Sequence, residues 1–297
     1  MTKTKNPMTF AIIGTGMVGT AIGILLKKAG HLVSALADTS PAHLRRAAAR
    51  LGKIPTFHDP GKPAAYAACL LITTPDDIIA QACAQAVRGV DMRGKTVFHM
   101  SGAGGLDLLE SAAQAGAKVA CIHPLQSFST IEGAVQSIPG SYFGVTAGRG
   151  AKALASAVVR DLGGIPLVIT SGQKPLYHLA ACMASNYLVS LMSLVESAYL
   201  RVGFSRKDAR RAFLPLVYGS LKNIEAHGCA KALTGPIARS DAGTIRKHMQ
   251  ALAEAPPEIA SVYAELGRIT VKLAMEKGTL KPDQAKTITG LLKGVKK

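Results

Sequence analysis

The sequence predicts an α/β fold, in which a doubly wound parallel sheet is followed by an all-helical domain. In the first half, short apolar runs of strand length alternate with segments of helix length, as in parallel βαβ units. From Lys174 onward, helical periodicity dominates. We therefore divide the 297-residue chain into a sheet domain, residues 1–172, and a helical domain, residues 173–297.

The apolar runs give the positions of the individual elements. Strands are predicted at Thr9–Ile13, His31–Ala37, Ala68–Thr73, Lys95–His99, Lys118–Ile122, Tyr142–Thr146 and Leu167–Thr170. Helices are predicted at Thr20–Ala29 and Ala42–Leu51, and in the second half at Leu176–Val202, Arg206–His227, Ile245–Ala255 and Pro257–Lys277, before a short C-terminal helix. The carboxyl ends of parallel strands share one edge of a sheet, and ligands bind there.

The composition narrows the class of protein. Hydrophobic residues make up 48% of the chain, and none of the five cysteines forms a C-x-x-C pair. Nothing resembles a secretory signal, so we expect reduced thiols and a cytoplasmic protein. No stretch reaches the ~18 apolar residues of a membrane span. The net charge of +17 is spread along the chain without a nucleic-acid-binding motif, so we expect neither nucleic acid nor membrane as a partner.

A glycine-rich segment directly follows the first strand. Gly14, Thr15, Gly16, Met17, Val18 and Gly19 form a G-x-G-x-x-G pattern between that strand and a helix, which is typical of a Rossmann-type dinucleotide site. The first glycine allows a tight turn, the second lets the backbone approach a pyrophosphate, and the third allows close packing of helix on strand. The helix N-terminus then presents free N–H groups to the phosphates.

Two further segments are expected at the cofactor. Asp38 ends the second strand, where a carboxylate can accept hydrogen bonds from the adenosine ribose; with Thr39 beside it, NAD(H) is favoured over NADP(H). One alternative is that Asp38 caps the next helix. Another is that Arg45 and Arg46 reach the 2′-phosphate of NADP(H). Thr74 and Pro75 follow another strand and are expected to border the cofactor, an ordinary turn being the alternative.

Polar residues follow two later strands and suggest a catalytic group. Ser101 comes after one strand, and His123, Gln126 and Ser127 after the next. A histidine can carry the proton that accompanies a hydride, and a serine hydroxyl can orient the reacting carbonyl or imine. Gln126 and Ser127 are expected to contact substrate. The alternative for His123 is a turn residue bonded to backbone.

The helical half adds candidates of its own. His178, Cys182 and Asn186 are spaced to share one helix face, and Asn186 and His178 are expected at the substrate. The alternative is a hydrogen bond between helices. Arg239, in the turn LTGPIARSD, is expected to hold a substrate carboxylate, unless it pairs with Asp241. No spacing of ligand residues indicates a metal site.

Several of these motifs together resemble one family. The motifs are similar to those of predicted oxidoreductases that have a Rossmann-like N-terminal domain and a helical C-terminal domain of unassigned function. They are Gly14–Gly19, HMSG, IHPLQSF, YHLAACMASNYL and LTGPIARSD. That family is related to 6-phosphogluconate and β-hydroxyacid dehydrogenases, ketopantoate reductase, pyrroline-5-carboxylate reductase and prephenate dehydrogenase. The resemblance implies a homodimer formed through the helical domain.

The resemblance also bears on individual residues. Asn186 matches the catalytic asparagine of β-hydroxyacid dehydrogenases, but Cys182 stands where those enzymes have a lysine, and His178 is the nearest substitute. Ser101 and His123 resemble the serine–histidine pair of prephenate dehydrogenases. The family often has Ser-Arg where this chain has Asp38-Thr39.

The sequence therefore predicts an NAD(P)-dependent dehydrogenase or reductase. The expected reaction is hydride transfer to or from the C=O or C–OH of a small carboxylate, either a 2-keto acid such as ketopantoate or a β-hydroxyacid. Two alternatives stay open: an imine reductase of the pyrroline-5-carboxylate reductase type, which needs no strong acid, and a non-catalytic dinucleotide-binding redox sensor.

Overall fold

The structure is a computed structural model that describes residue 4 and residues 6–293. The chain divides after Ser185 into two compact units, one containing the sheet and the other entirely helical. The predicted boundary after Gly172 lies one helix earlier, because the helix that follows it groups with the sheet unit.

The first unit is built on one eight-stranded sheet, whose order in space is β3-β2-β1-β4-β5-β6-β7-β8. The strands are β1 (Thr9–Ile13), β2 (Leu32–Ala37), β3 (Thr56–Phe57), β4 (Cys69–Ile72), β5 (Thr96–His99), β6 (Lys118–Pro124), β7 (Tyr142–Ala147) and β8 (Ile165–Val168). The reversal of strand order beside β1 confirms the doubly wound sheet, and the carboxyl ends of β1, β2 and β4 align at Ile13, Ala37 and Ile72.

The last two strands depart from the predicted parallel arrangement. Strand β7 runs antiparallel to β6, and β8 runs parallel to β7. The connection from β6 to β7 contains only one helix, Ile131–Ser137, of seven residues. At ~1.5 Å per residue this helix spans about 10 Å, less than the length of the strands, so the chain re-enters the sheet from the edge at which β6 ended.

Seven helices accompany the sheet: α1 (Met17–Lys28), α2 (Pro41–Leu51), α3 (Ile79–Val87), α4 (Glu110–Gln114), α5 (Ile131–Ser137), α6 (Lys152–Asp161) and α7 (Lys174–Ala184). Successive strand residues bury their side chains in different clusters. Ile12 and Leu71 belong to one core, whereas Ile13, Leu70 and Ile72 belong to another. The sheet is therefore covered on both faces, as continuous apolar strands require.

The second unit consists of α8 (Asn186–Arg201), α9 (Arg206–Ala232), α10 (Ala242–Leu252), α11 (Pro257–Glu276) and α12 (Pro282–Leu292). The single helix predicted over Leu176–Val202 is in fact two helices, because the backbone turns at Ser185 (φ −114°, ψ −73°). Apolar periodicity continues unchanged through Ser185, so this break is not predictable from the local pattern. Helix α9 is kinked at Gly228, where φ is 74°.

One segment passes the length and composition test for a membrane span, contrary to the sequence-based expectation. Residues Ser171–Arg201, which include α7 and α8, contain an 18-residue window of mean hydropathy 1.4, with none of its residues buried. The first turn of α7 is nevertheless bonded into the sheet unit through Lys174, which is completely buried. Large apolar side chains further along this segment are exposed, among them Leu176, Met183 and Val189.

Candidate functional site

The glycine-rich loop has the geometry that a phosphate-binding turn needs. Gly14 adopts φ +92°, and a Cβ there would lie 2.7 Å from the backbone nitrogen of Thr74. A Cβ on Gly19 would collide with the carbonyl oxygen of Gly14. At Gly16, by contrast, a Cβ would meet nothing within 4 Å. Gly14 and Gly19 are thus required by the protein's own packing, whereas Gly16 leaves its backbone open to a ligand.

A cavity of about 810 Å³ opens beside this loop. Among the residues predicted at the cofactor, those that line it are Gly14, Gly16, Met17, Val18, Asp38, Thr39, Thr74 and Pro75. The hydroxyl of Thr74 is buried and has no hydrogen-bond partner among the described residues. A buried polar group of this kind is normally satisfied by a ligand or water. The open backbone at Gly16 and the free hydroxyl of Thr74 fit a dinucleotide.

The carboxylate of Asp38 is already engaged by the protein. Its Oδ2 accepts hydrogen bonds from the backbone N–H of Thr15 at 2.7 Å and from the Thr15 hydroxyl at 3.1 Å. Its Oδ1 accepts from the backbone N–H of Ser40 at 2.8 Å. The alternative of Asp38 as helix cap is wrong, because Ser40 is the N-cap of α2. Asp38 instead ties the glycine-rich loop to the end of β2.

A second cavity, of about 520 Å³, lies next to the first and shares Thr39 and His58 with it. Its wall also contains the cationic side chains of Lys62 and Arg88 and the carboxylate of Asp59. Arg45 and Arg46, the basic residues that the sequence suggested for this end of the cofactor, do not line either cavity. The positive charge beside β2 therefore comes from the segment after β3 and from the C-terminal end of α3.

Ser101 is bonded within the sheet edge. Its hydroxyl donates to Oδ2 of Asp76 at 2.6 Å and accepts from the backbone N–H of Gly104 at 2.7 Å. Ser101 is buried, whereas its partner Asp76 is exposed. The serine thus links the turn after β4, which borders the dinucleotide cavity, to the loop after β5.

Two histidines and a tyrosine meet above Gly102. The hydroxyl of Tyr177 hydrogen-bonds Nδ1 of His123 at 3.0 Å, and the rings of His123 and His178 are 6.0 Å apart. A Cβ on Gly102 would fall 2.9 Å from Nε2 of each histidine, so only glycine lets both rings approach this backbone. The structure thus brings the predicted residues Ser101, His123 and His178 to one place.

A buried lysine lies behind this group. Nζ of Lys174 donates to the carbonyl oxygen of Ser101 at 2.9 Å and contacts Sγ of Cys121 at 3.1 Å. Burial, and next the charge of Lys174, lowers the pKa of His123 to about 4, and the same two causes lower the pKa of His99 to about 4. Burial also raises the pKa of Tyr177. At neutral pH both imidazoles are therefore uncharged and the phenol is protonated.

The remaining predicted residues have simpler surroundings. Gln126 is exposed and donates to Ser141 Oγ at 3.2 Å, while its Oε1 accepts from the backbone N–H of Ser127. Asn186 and Arg239 belong to the helical unit and are both exposed. Asp241 binds the N–H and hydroxyl of Thr244, and the described residues include no ion pair between Asp241 and Arg239.

Sequence reasoning missed three members of the site: Asp76, Lys174 and Tyr177. Asp76 follows Pro75 and was interpretable as a helix-capping residue. A signal for the other two was present, because Lys174 lies four residues before His178 and Tyr177 directly before it, in the same helix. Their partners, however, are on strands more than fifty residues earlier, and spacing alone does not identify such contacts.

Comparison with known proteins places this geometry in context. Residues 3–124 match the profile of the Rossmann-like domain, and residues 141–270 match that of the domain of unknown function DUF2520. No curated protein matches the chain.

Solved structures with low sequence identity share the fold. An NADP oxidoreductase from Bacteroides fragilis is 19% identical, with a TM-score of 0.69 over 91% of this chain and 98% of that one. A pyrroline-5-carboxylate reductase from Coxiella burnetii is 15% identical, with a TM-score of 0.60 over 96% and 99%. A reductive aminase from Aspergillus terreus, solved with NADPH and ethyl-5-oxohexanoate, is 16% identical, with a TM-score of 0.59 over 97% and 93%.

The glycine-rich loop, the cavity beside it and the sheet topology thus belong to a chain that has the fold of these solved structures. More narrowly, it combines a Rossmann-like domain with a DUF2520 domain, and this confirms the family resemblance inferred from the sequence motifs.

Proposed function

We propose that this protein is a nicotinamide-dinucleotide-dependent reductase. The observation that carries the proposal is the cavity beside Gly14–Gly19. It is lined by the open backbone of Gly16 and by Thr74, whose buried hydroxyl has no hydrogen-bond partner in the described part of the chain. A nicotinamide dinucleotide bound there supplies a hydride. The link from Asp76 to Ser101 joins this cavity to the His123–Tyr177 pair, which we assign to the reacting group.

We further propose that the hydride acceptor is a carbon–nitrogen double bond. Reduction of a carbonyl builds negative charge on oxygen and benefits from an acid, whereas a protonated imine already carries the positive charge that a hydride neutralises. Neither His99 nor His123 is an imidazolium at neutral pH, since the pKa of each is lowered to about 4. Cys182, in the place of the lysine of β-hydroxyacid dehydrogenases, supplies no ammonium. Two of the structural neighbours quoted above, a pyrroline-5-carboxylate reductase and a reductive aminase, bear names that agree with this chemistry.

In this scheme Tyr177 and His123 act together. A hydrogen bond of 3.0 Å joins the tyrosine hydroxyl to Nδ1 of His123 and fixes the orientation of the imidazole. The neutral ring can then accept a hydrogen bond from, or donate one to, the substrate nitrogen at Nε2. Ser101, with both hydrogen-bonding directions occupied, positions the loop and not the substrate.

A second candidate function is reduction of a 2-keto acid such as ketopantoate. The observation that favours it is the phenol of Tyr177. Burial raises its pKa, so the phenol stays protonated at neutral pH and can donate a proton to a carbonyl oxygen.

For the cofactor, we propose NADP(H) over NAD(H), in contrast to the preference based on sequence. That preference required Asp38 to accept hydrogen bonds from the ribose, but Thr15 and Ser40 already take up three of the roughly four acceptor positions of its carboxylate. The neighbouring cavity has Lys62 and Arg88 in its wall against one carboxylate, Asp59, and this excess of positive charge suits a 2′-phosphate.

A substrate panel tests the function. Purified protein with NADPH is given 1-pyrroline-5-carboxylate, ketopantoate or pyruvate, and oxidation of the cofactor is followed by its absorbance. We expect turnover of the cyclic imine and a large loss of rate in Tyr177→Phe, with no loss in Tyr142→Phe, an exposed tyrosine outside the site. Turnover of ketopantoate alone would establish the second candidate. Binding of NADPH without turnover of any substrate would favour the redox-sensor alternative.

A further inference from the structure

We propose that the helical unit contains a separate binding site for a small, neutral and largely apolar molecule that carries one polar group. The site is a cavity of about 350 Å³ between α8, α11 and the turn before α10, and all of its lining residues belong to this unit. Its walls are formed mainly by aliphatic side chains, among them Leu191, Val195, Val262 and Leu266. Both the volume and the apolar wall are those of small-molecule pockets.

One part of the wall is polar. Nδ1 of His248 hydrogen-bonds the hydroxyl of Tyr263 at 2.8 Å, with the two rings edge to face. Burial raises the pKa of Tyr263, so its phenol stays protonated at neutral pH. The hydroxyl of Thr270 donates to the carbonyl oxygen of Leu266, which leaves its lone pairs free to accept. A ligand with one hydroxyl or carbonyl group therefore finds both a donor and an acceptor here.

Within the part of the chain that the structure describes, the cavity wall has no charged side chain that could bind an ion. No aspartate, glutamate, lysine or arginine is among the described residues that line the cavity, although the chain as a whole carries a net charge of +17. An ionised ligand would lose its hydration here without gaining an opposite charge. The occupant is therefore a neutral molecule and differs in chemistry from a dinucleotide or a free carboxylate.

The turn LTGPIARSD, which has no assigned role in the proposed imine reduction, forms part of this site. Thr234, Pro236 and Ile237 form part of the cavity wall. The turn holds Gly235 at φ 97° and Ser240 at φ 59°, the latter the one non-glycine residue with positive φ among the described residues. Such a conformation is costly for serine and persists where the surroundings fix it. The fixed turn closes one side of the cavity.

The experiment uses 1-naphthol, an apolar bicycle with one hydroxyl, titrated into the full-length protein and followed by its fluorescence. The chain has no tryptophan to mask that emission. We expect saturable binding. Tyr263→Phe should weaken 1-naphthol binding about three- to tenfold, the usual effect of losing one hydrogen bond, and leave naphthalene binding unchanged. Tyr187→Phe, an exposed tyrosine of the same unit that does not line the cavity, should change neither.

A second pair of variants tests the location. Ala198 lines the cavity, so Ala198→Phe should fill it and abolish binding of both probes, whereas Ala251→Phe on the exposed side of α10 should not. If Ala198→Phe fails to fold, Tyr263→Phe still decides. The proposal is overturned if neither probe saturates, or if binding survives both cavity variants. It is also overturned if Ala198→Phe converts a dimer to a monomer, because a second copy of the chain would then be the occupant.

Discussion

The carboxylate of Asp38 and the backbone of Thr15 hold the end of β2 against the glycine-rich loop, through hydrogen bonds of 2.7 Å to the N–H and 3.1 Å to the hydroxyl. Because Thr15 is completely buried, its N–H has no access to water if Asp38 is removed.

Asp38→Ala should therefore lower the free energy of unfolding by about 2 kcal/mol. The substitution should also weaken the binding of NADH and of NADPH equally, because the glycine-rich loop is no longer held by Asp38. Thermal melting and calorimetric titration measure both effects, with the exposed Asp77→Ala as control. A selective loss of NADH affinity would show instead that Asp38 binds the ribose.

Substitutions in the glycine-rich loop should separate folding from ligand binding. Gly19→Ala places a methyl group against the Gly14 carbonyl, so it should lower the melting temperature as well as dinucleotide affinity. Gly16→Ala meets open space, so the fold should be unchanged while a bound pyrophosphate is displaced. Equal melting temperatures for both variants would contradict this division of roles.

The basic wall beside β2 should govern cofactor choice. Arg88→Ala is expected to weaken NADPH binding by about tenfold or more, the cost of a charge-assisted contact to phosphate, and to leave NADH almost unaffected. Arg45→Ala serves as the matched control, because Arg45 is exposed and does not line the cavities. If Arg45→Ala has the larger effect, the 2′-phosphate lies nearer to α2.

Stability should depend on pH through His99. Burial lowers its pKa in the folded protein from the ordinary 6.5 to about 4, so the unfolded chain binds the proton more readily. This contribution to stability is complete above about pH 6.5 and is lost as the pH falls toward 4. Melting curves at pH 7, 6 and 5 should show the decline, and His99→Gln should reduce it by roughly half, because the pKa of His123 is lowered to about 4 as well. An unchanged slope in the variant would assign the effect to other groups.

We expect the protein to form a homodimer through its helical unit. Several large apolar side chains of this unit are more than half exposed: Tyr187 and Val189 on α8, and Leu216 and Tyr218 on α9. Exposed apolar side chains of this size are typical of a protein–protein interface. Leu216→Glu should dissociate the dimer in light scattering after gel filtration, because it buries a charge in the interface. Leu32→Glu changes a similarly exposed leucine of the sheet unit and should leave the dimer intact.

Local signals predicted the fold well and the site in part. The glycine-rich loop, the strands and most helix ends follow from periodicity and turn residues, all of which act over a few positions. Asp38 shows the limit of such reasoning. Its position at the end of β2 was predicted correctly, but the hydrogen bonds that its carboxylate accepts from Thr15 and Ser40 were not. The roles of Lys174 and Tyr177 were not predicted at all, because they depend on contacts with Cys121 and His123, which lie on a strand distant in sequence.

The turn at Ser185 determines where this chain can be cut. A fragment that stops at Gly172 would lose Lys174, Tyr177 and His178, and would leave an empty space behind Ser101 and Cys121 at the centre of its own reaction site. Chimaeras that exchange the helical half with a relative should therefore be joined at residues 185–186. The exchanged half would then bring its own apolar cavity, and the recipient would keep its histidine–tyrosine pair intact.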